Sequence, residues 1–372
     1  MNNLLTLATM GALAAVSLTT HAQFTVDGQA TPNEIGTGLG KYQLAASYTG
    51  THLEAARGLT ALYVGCTATT LNILVVGSAE SANTTGAYRA LVLYLNTPGR
   101  PGAAASVQLP GGSDPLSPLK HKPTLDMITD YGFRASVGPT SATANDVFFS
   151  RVSYVTGTSV TPGTDTFIGA GTKAGGQVVA PASLDLAGSK FAYHNTPTLT
   201  ANTTNSGFEL EIPFAALGVP SGPVAVGSSI DLFAAYTDGD GVFFTDVIPQ
   251  IAGRTTALGA NPNFSTIPGV QSVTVALGGG ALASRAAVAT KFDFQVYPNP
   301  AQASATVAYT VPAGTQPVAL AVYNALGQRV HAQVPGRQAG RQLVPLGPLP
   351  AGAYLVKLQI GNQLTSQKLT VE

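Results

Sequence analysis

Residues 208–212 read Phe-Glu-Leu-Glu-Ile, and this short stretch decides the fold class. Its apolar residues alternate with Glu209 and Glu211. In a β-strand, successive side chains point to opposite faces, so the two glutamates would share one face and the apolar residues the other. The pattern predicts a half-buried strand with one face toward solvent. No long stretch of the chain shows the sustained apolar period of 3.6 residues that is typical of a helix.

Similar short segments recur on both sides of this stretch. Clusters of turn-forming residues separate them, for example Asn-Thr-Pro-Gly at 96–99 and Pro-Gly-Gly-Ser-Asp-Pro at 110–115. The clearest predicted strands before residue 278 are 59–66, 70–76, 88–95, 146–155, 208–212, 230–236 and 270–277. Many short strands without interleaved helices predict an all-β fold, a large β-sandwich of jelly-roll or immunoglobulin-like type.

The composition limits the classes of function. Charged residues make up 10% of the 372, and 18 Lys and Arg balance 18 Asp and Glu. Nucleic-acid surfaces and polybasic membrane patches need an excess of Lys and Arg, so neither partner is expected. The single cysteine, Cys66, lies in a predicted strand and is expected to be a small buried residue rather than a nucleophile.

The N-terminus is predicted to be a cleaved signal peptide, residues 1–22. Residues 4–18 form an apolar run that is short for a membrane span, and Thr20 and Ala22 provide a small-x-small cleavage pattern. No Lys or Arg precedes the run, and a buried N-terminal helix is the alternative. With the signal removed, we expect no transmembrane segment in the mature chain.

A second, smaller β-unit is predicted after residue 291. Residues 278–291 are rich in Gly, Ala, Ser and Thr without strand alternation, so they are interpreted as a linker between a domain at 23–277 and one at 292–372. The predicted strands of the second unit are 292–297, 305–311, 318–323, 329–334, 343–346, 353–360 and 364–371. This spacing predicts a small seven-stranded, immunoglobulin-like sandwich.

Three ordered blocks mark this C-terminal unit. The first reads Tyr-Pro-Asn-Pro, the second Val-Tyr-Asn-x-x-Gly at 322–327, and the third Leu-Pro-x-Gly-x-Tyr, followed by a last strand with a lysine. Two prolines around an asparagine favour an extended turn and exclude a helix. The motif residues are Tyr297, Pro298, Asn299, Pro300, Gly327, Leu349, Gly352, Tyr354 and Lys368.

With these blocks, residues 292–372 resemble the type A sorting domain of the type IX secretion system. The resemblance implies passage through the outer membrane to the cell surface or the medium. It also implies two partners, the type IX secretion machinery and its sorting peptidase. The domain is then usually removed, and the protein is released or attached to surface lipopolysaccharide.

Two fragments of the larger domain carry a second resemblance. Residues 24–28, Phe-Thr-Val-Asp-Gly, and residues 208–218, which contain Glu-Leu-Glu-Ile-Pro-Phe, are similar to the opening and to a strand-turn segment of family 9 carbohydrate-binding modules and DOMON sandwiches. The resemblance implies binding of glycans, or of haem and sugars, on a sandwich face. The chain has no Trp, so stacking on sugar rings would fall to its 13 tyrosines.

Catalytic motifs were sought and not found. The sequence contains neither a G-x-S-x-G elbow nor an H-E-x-x-H helix, so a non-enzymatic protein is expected. Glu209 and Glu211 would lie roughly 6.5–7 Å apart along one strand, within the range of glycosidase carboxylates. Two acids on a single strand are nevertheless expected to form a solvated face. Residues 120–122, Lys-His-Lys, are predicted to be a small solvated basic loop.

An acidic segment offers the one candidate metal site. Residues 238–241, Asp-Gly-Asp-Gly, favour a hairpin turn. The alternative is a structural Ca²⁺ site formed by Asp238, Asp240 and Asp246. The spacing is not that of an EF-hand.

The sequence thus favours a non-enzymatic, surface-located or secreted β-sandwich with a binding or adhesive function, and polysaccharide is one candidate ligand. Two other hypotheses stay open. One is a surface structural or adhesive protein without a small ligand. The other is a hydrolase whose site is assembled from residues far apart in the chain.

Overall fold

The computed structural model describes residues 24–80, 88–139, 145–158, 160–217, 224–267, 269–278, 292–324, 328–360 and 363–372. The predicted signal peptide and nearly all of the predicted linker lie outside these residues. Within them the chain is almost entirely β-structure, arranged in three antiparallel sheets, and the all-β prediction is confirmed.

The strands follow the sequence pattern closely. In the larger unit they are β1 (Gln43–Ser47), β2 (Gly58–Cys66), β3 (Thr70–Ser78), β4 (Arg89–Asn96), β5 (Tyr131–Val137), β6 (Val147–Ser153), β7 (Thr164–Gly171), β8 (Val178–Val179), β9 (Lys190–Tyr193), β10 (Gly207–Pro213), β11 (Ser229–Asp238), β12 (Phe243–Ile248) and β13 (Val273–Ala276). One four-residue helix, Phe214–Leu217, follows β10, and two short 3₁₀ turns span Pro118–Lys120 and Phe264–Thr266.

These strands form a β-sandwich of two sheets. One sheet has the order β1-β2-β3-β10-β9-β8. The other has the order β12-β11-β4-β5-β6-β7, and its seventh strand, β13, also pairs with β11. The main core lies between them and contains alternate residues of both sheets, such as Ile73 and Phe208 from the first and Leu93 and Phe133 from the second. Burial of these side chains is the largest favourable contribution to the fold.

The outer face of the six-stranded sheet is covered by the N-terminal segment, residues 24–42. Phe24 and Tyr42 pack there against Leu74 of β3. Because this segment covers the face, Glu209 and Glu211 are 0% and 5% exposed. The prediction that they form a solvated face is therefore wrong, since residues far away in the sequence cover the strand.

The outer face of the seven-stranded sheet is covered over part of its area. Residues 103–127 and 258–267 contribute apolar side chains that pack on β4 and β11, for example Leu119 and Phe264 against Tyr94 and Phe233. The remaining part, on β5 and β6, stays open and forms the groove described below.

The C-terminal unit forms the third sheet. Its strands are β14 (Gln295–Tyr297), β15 (Ala305–Asn324), β16 (Arg329–Leu346), β17 (Gly352–Ile360) and β18 (Gln363–Val371). The order is β14-β15-β17-β18, and β16 pairs with β15 along its length. The first part of β15 pairs with β14 and the second part with β17. Phe292, Phe294 and strand residues enclose a separate core.

The described residues of this unit divide into five strands rather than the predicted seven. The predicted breaks lay at the Pro- and Gly-containing stretches 312–317 and 335–342. Instead, β15 and β16 continue through them as one antiparallel ladder with shifts in register, for example between Val311 and Gln316. Bulges and positive φ at Gly336 and Gly340 absorb the residues that sequence alone assigns to turns.

None of the helices in the described ranges has the length and apolar character needed to span a bilayer.

Candidate ligand-binding groove and sorting motifs

An open groove of about 600 Å³ lies on the uncovered part of the seven-stranded sheet. Its floor is formed by Arg134 and Ser136 of β5 and Phe148 of β6, which alternate with the core residues of the same strands. Tyr88 and Phe167 stand at its sides and are 43% and 57% exposed. A volume of this size falls within the range of small-molecule sites, about 300–1,000 Å³.

Backbone contacts hold Tyr88 in place at the edge of the groove. The amide of Gly239 donates a hydrogen bond to the Tyr88 carbonyl at 3.0 Å. A Cβ atom at Gly239 would lie only 2.8 Å from Tyr88 Cβ, so glycine permits this close approach. The Tyr88 ring lies 6.2 Å from that of Phe148, at a tilted angle. The groove therefore presents its aromatic rings in a preformed arrangement.

Arg134 supplies polar groups to the floor. Its Nη1 donates to the Phe148 carbonyl at 3.2 Å, and Nη2 lies 3.7 Å from Asp114 Oδ2. Its Nε and the Ser136 hydroxyl have no hydrogen-bond partner among the described residues, although Arg134 is only 5% exposed. Burial lowers the pKa of Arg134, and the charges of Asp165 and Asp114 oppose this effect. The Arg134 Nε and the Ser136 hydroxyl are themselves buried, and other buried polar atoms of the described residues, such as His121 Nδ1, also lack a partner.

The acidic segment 238–241 is the turn of the β11–β12 hairpin, as predicted. Asp238 Oδ1 accepts the amides of Asp240 and Val242 at 3.0 and 2.8 Å. Asp240 is exposed and forms an ion pair with Lys120 at 3.0 Å. Both aspartates line the groove.

Asp246, the third predicted Ca²⁺ ligand, has different surroundings. It is 1% exposed and hydrogen-bonds to His52, to the Leu59 amide and to the Thr245 hydroxyl. It ties β12 to the start of β2. Nowhere in the described ranges do three or more His, Cys, Asp or Glu side chains come together as a metal site. The structure thus does not bring the three predicted ligands together, and Ca²⁺ binding stays a prediction.

Glu209 links the two fragments that resemble carbohydrate-binding modules. Its Oε2 accepts the backbone amides of Asp27 and Gly28 at 2.9 and 2.7 Å, and its Oε1 accepts the Tyr42 hydroxyl at 2.7 Å. Burial raises the pKa of the Glu209 carboxyl to about 8, although these three hydrogen bonds lower it. Gly28 has φ of +82° and passes so close to His194 that a Cβ would lie 2.3 Å from its amide. The Glu209 carboxyl therefore holds the N-terminal segment against β10.

Glu211, on the same face, has its own partners. Lys190 donates to its Oε1 at 2.8 Å and Asn72 to its Oε2 at 3.1 Å. The two glutamates are thus both engaged beneath the N-terminal segment rather than opposed across a cleft. This arrangement does not suit the two-carboxylate chemistry of glycosidases.

His121 also differs from the prediction of a solvated basic loop. It is 3% exposed, its Nε2 lies 2.5 Å from the Tyr94 hydroxyl, and its ring packs against Phe243 at 4.5 Å. Burial, with the nearby Lys120, lowers the pKa of His121 to about 3. The flanking lysines suggested an exposed loop. The sequence does not show that the 3₁₀ turn Pro118–Lys120 places His121 against the sheet.

Cys66 is buried in β2, as predicted, and burial raises the pKa of its thiol to about 11. A thiol with such a pKa is largely protonated at neutral pH, which makes it a poor nucleophile.

In the C-terminal unit the three sequence blocks come together. Asn299 lies beside the edge strand β18: its Nδ2 donates to the Lys368 carbonyl at 2.8 Å, and its Oδ1 accepts the Thr370 amide at 3.0 Å. The Ala301 amide continues this ladder by donating to the Thr370 carbonyl. The Tyr-Pro-Asn-Pro block therefore closes an edge that would otherwise be open to pairing with another strand.

The other blocks lie on neighbouring strands. Asn324 of β15 pairs with Tyr354 of β17, and the Tyr354 hydroxyl donates to the Pro350 carbonyl at 2.7 Å. Gly352, with φ of +158°, starts β17, and Leu349 is buried in the core. Tyr297 and Lys368 lie on β14 and β18. Gly327 lies outside the described residues.

Sequence reasoning missed the groove residues Tyr88, Arg134, Phe148 and Phe167. The available signal was the alternation of Arg134 and Ser136 with Phe133 and Ala135 in β5, which places two polar residues on one face. Nothing in that pattern shows that the face is left open.

Comparison with known proteins gives one family match. Residues 295–372 match the family described as the secretion system C-terminal sorting domain. None of the curated proteins matches the chain. Among solved structures, the dimeric latent PorU of Porphyromonas gingivalis is 12% identical with a TM-score of 0.20, and the match covers 89% of this chain and 34% of that one.

A second solved structure, the BSP domain of a biofilm-associated protein, is 9% identical with a TM-score of 0.19. The match covers 88% of this chain and 53% of that chain. Both similarities are too weak to support an argument about the larger sandwich. The family match agrees with the three C-terminal blocks, which the structure brings together on one sheet. Residues 295–372 are a sorting domain handled by the type IX secretion machinery, and they direct export across the outer membrane to the cell surface or the extracellular space.

Proposed function

We propose that the exported protein is a non-enzymatic glycan-binding protein and that the groove on the seven-stranded sheet is its binding site. The observation that carries the proposal is the pair of exposed aromatic rings, Tyr88 and Phe167, at the sides of a groove whose floor contains Arg134. Exposed aromatic rings pack against the apolar faces of sugar rings, and a fixed guanidinium donates hydrogen bonds to their hydroxyl oxygens.

The preformed shape of the groove supports the same proposal. Tyr88 is held by the Gly239 backbone, and Arg134 is held by the Phe148 carbonyl. Ordering costs on binding are reduced when the contacting side chains already occupy one arrangement.

The test is binding of the purified full-length chain to a panel of soluble polysaccharides by affinity electrophoresis. We expect Phe167→Ala and Tyr88→Ala each to weaken retention by about 10-fold, since loss of a well-packed aromatic contact typically costs more than 1 kcal/mol. Leu44→Ala is the matched control, because Leu44 is also exposed but lies on β1 of the other sheet.

Two results would contradict the proposal. Failure of the wild-type chain to bind any polysaccharide would favour the structural or adhesive alternative. Retention that both aromatic substitutions leave unchanged would place the glycan elsewhere on the molecule. Release of sugars from the same polysaccharides during incubation would favour the hydrolase alternative.

For the C-terminal unit, we propose that the sorting peptidase of the machinery removes it after transport. The proposal rests on the family match over residues 295–372. Mass spectrometry of the protein recovered from the cell surface or medium should show the loss of this unit. Recovery of exported protein with β14–β18 intact would contradict it.

A further inference from the structure

The groove combines a buried guanidinium with exposed carboxylates, and this combination bears on which glycans it accepts. The side chain of Arg134 is 6% exposed, whereas those of Asp114 and Asp240 are 38% and 85% exposed. The positive charge thus lies at the floor and the negative charges at the solvent side.

The charge of Arg134 is already balanced within the protein. Asp114 Oδ2 lies 3.7 Å from its Nη2, and the carboxylate of Asp165 also acts on it. Its Nε lacks an acceptor among the described residues but is itself buried, so a ligand in the groove does not reach it. Arg134 therefore adds no excess of positive charge to the floor, which suits a neutral ligand better than an anion.

The second arginine of the groove is not free to bind an anion either. Arg89 forms a two-point ion pair with Glu54, at 2.9 Å from Nε and 2.6 Å from Nη2. Glu54 in turn accepts a hydrogen bond from the Tyr236 hydroxyl. This network holds Arg89 on the protein side of the groove.

The cations at the groove already have acidic partners. Lys120 forms an ion pair with Asp240, Arg134 lies beside Asp114, and Arg89 pairs with Glu54. A polyanion would therefore find no unpaired cation among the described residues that line the groove.

From this distribution we propose that the groove selects neutral glycans and rejects glycans that carry carboxylates or sulfates. Arg134 and Ser136, which line the floor, would lie against the sugar rings. This inference rests on the proposed glycan-binding function and adds the class of ligand to it.

The experiment compares neutral and acidic polysaccharides on the full-length chain at low salt. Laminarin, mannan and xylan are the neutral probes, and alginate and polygalacturonate are the acidic ones. We expect at least about 10-fold tighter binding of one or more neutral probes than of either acidic probe, because the cations at the groove are already paired and offer an acidic chain no partner.

Two sets of variants localise the effect. Asp114→Asn together with Asp240→Asn should narrow the difference in affinity between neutral and acidic probes. Asp293 is an exposed residue of the C-terminal unit, and Asp293→Asn should leave that difference unchanged. Arg134→Lys should weaken neutral binding by about 10-fold or more, since lysine lacks the planar guanidinium that lines the floor. Ser136→Ala provides a second floor variant if Arg134→Lys fails to fold.

The outcomes separate the two proposals. Binding of alginate or polygalacturonate as tight as that of the neutral probes would overturn this inference and leave glycan binding intact. Neutral binding that neither floor variant weakens would overturn the assignment of Arg134 and Ser136. No binding to any of the five polysaccharides would overturn the proposed function, and this inference would fall with it.

Discussion

The outer face of the six-stranded sheet packs against residues 24–42, whereas loops cover the outer face of the seven-stranded sheet only in part. On the first face, Glu209 is 0% exposed and clamps the covering segment. On the second, His121 is buried beneath the loops, while Tyr88 and Phe167 remain exposed a short way along the same sheet. The covering segment thus buries polar residues of the first face, whereas the uncovered part of the second face leaves aromatic rings exposed.

Residues on the covered face and residues on the open face therefore have different roles. A polar group beneath a cover must find its partners within the protein, because leaving it unpaired would cost free energy. Glu209 has three hydrogen bonds of this kind. At the open groove, the Tyr88 and Phe167 rings remain exposed, and that is why the binding proposal rests there.

The largest expected difference between covered and open regions is in stability. Phe264 is fully buried under the loops and packs against Phe233 at 4.6 Å and Phe243 at 5.7 Å. Phe264→Ala should therefore lower the free energy of unfolding by about 3–5 kcal/mol. Phe167→Ala, in the open groove, should change it by no more than about 0.5 kcal/mol. Urea unfolding followed by circular dichroism measures the free energy of unfolding of both variants. Equal losses of this free energy would contradict the difference between covered and open regions.

Glu209 should make the fold less stable as pH rises. Its pKa is raised to about 8, mainly by burial, against an ordinary value near 4.5. Between these two values the folded protein holds a proton that the unfolded chain has released, so stability falls as pH increases from 4.5 to 8.

The expected loss is on the order of a few kcal/mol. Glu209→Gln removes the titrating group and can keep an acceptor for the Asp27 and Gly28 amides. Thermal melting from pH 5 to pH 9 should show a smaller decline in the variant than in the wild type. Parallel profiles would mean that Glu209 stays ionised in the fold.

His121 should act in the opposite direction, on the partly covered sheet. Burial lowers its pKa to about 3, so the unfolded chain binds a proton below pH 6.5 that the folded protein excludes. Stability is then lost as pH falls from about 6.5 toward 3. His121→Gln should reduce the loss of stability between pH 6.5 and pH 3. The lost ring contact with Phe243 can lower the stability of this variant at neutral pH without changing that expectation. An unchanged acid slope would show that His121 is accessible to solvent.

The smallest expected effect is at the hairpin turn beside the groove. Asp240 is exposed, and surface ion pairs such as its contact with Lys120 contribute about 0–1 kcal/mol. Asp240→Ala should therefore shift the melting temperature only slightly, and the curves in chelator and in millimolar Ca²⁺ should coincide. A stabilisation by Ca²⁺ that Asp240→Ala abolishes would instead support the metal site predicted from Asp238, Asp240 and Asp246.

Much of the β-structure could be predicted from local pattern. The predicted strand 208–212 corresponds to Gly207–Pro213 in the structure, and 59–66 corresponds to Gly58–Cys66. The hairpin turn at 238–241 follows from the preference of Asp-Gly for such turns. These features depend on neighbouring residues, which are visible in the sequence.

The binding groove could not be predicted in the same way. Its lining comes from β5, β6 and β7, from the start of β4 and from loops near residues 114 and 239. Strand alternation places Arg134 and Ser136 on one face, but exposure depends on where the loops 103–127 and 258–267 end. The burial of Asp246 against His52 has the same origin, since the two residues are 194 positions apart.

The all-β class, the position of the sorting domain and the blocks that identify it follow from the amino-acid sequence, because strand period, turn chemistry and ordered motifs are local properties. Three further features depend on long-range contacts: Glu209 holds the N-terminal segment, Asn299 closes the edge of β18, and Arg134 faces an open groove. Alternation shows which side chains share a face of a strand. Whether that face meets water or another segment depends on contacts between residues that can lie more than 180 positions apart, as Gly28 and Glu209 do.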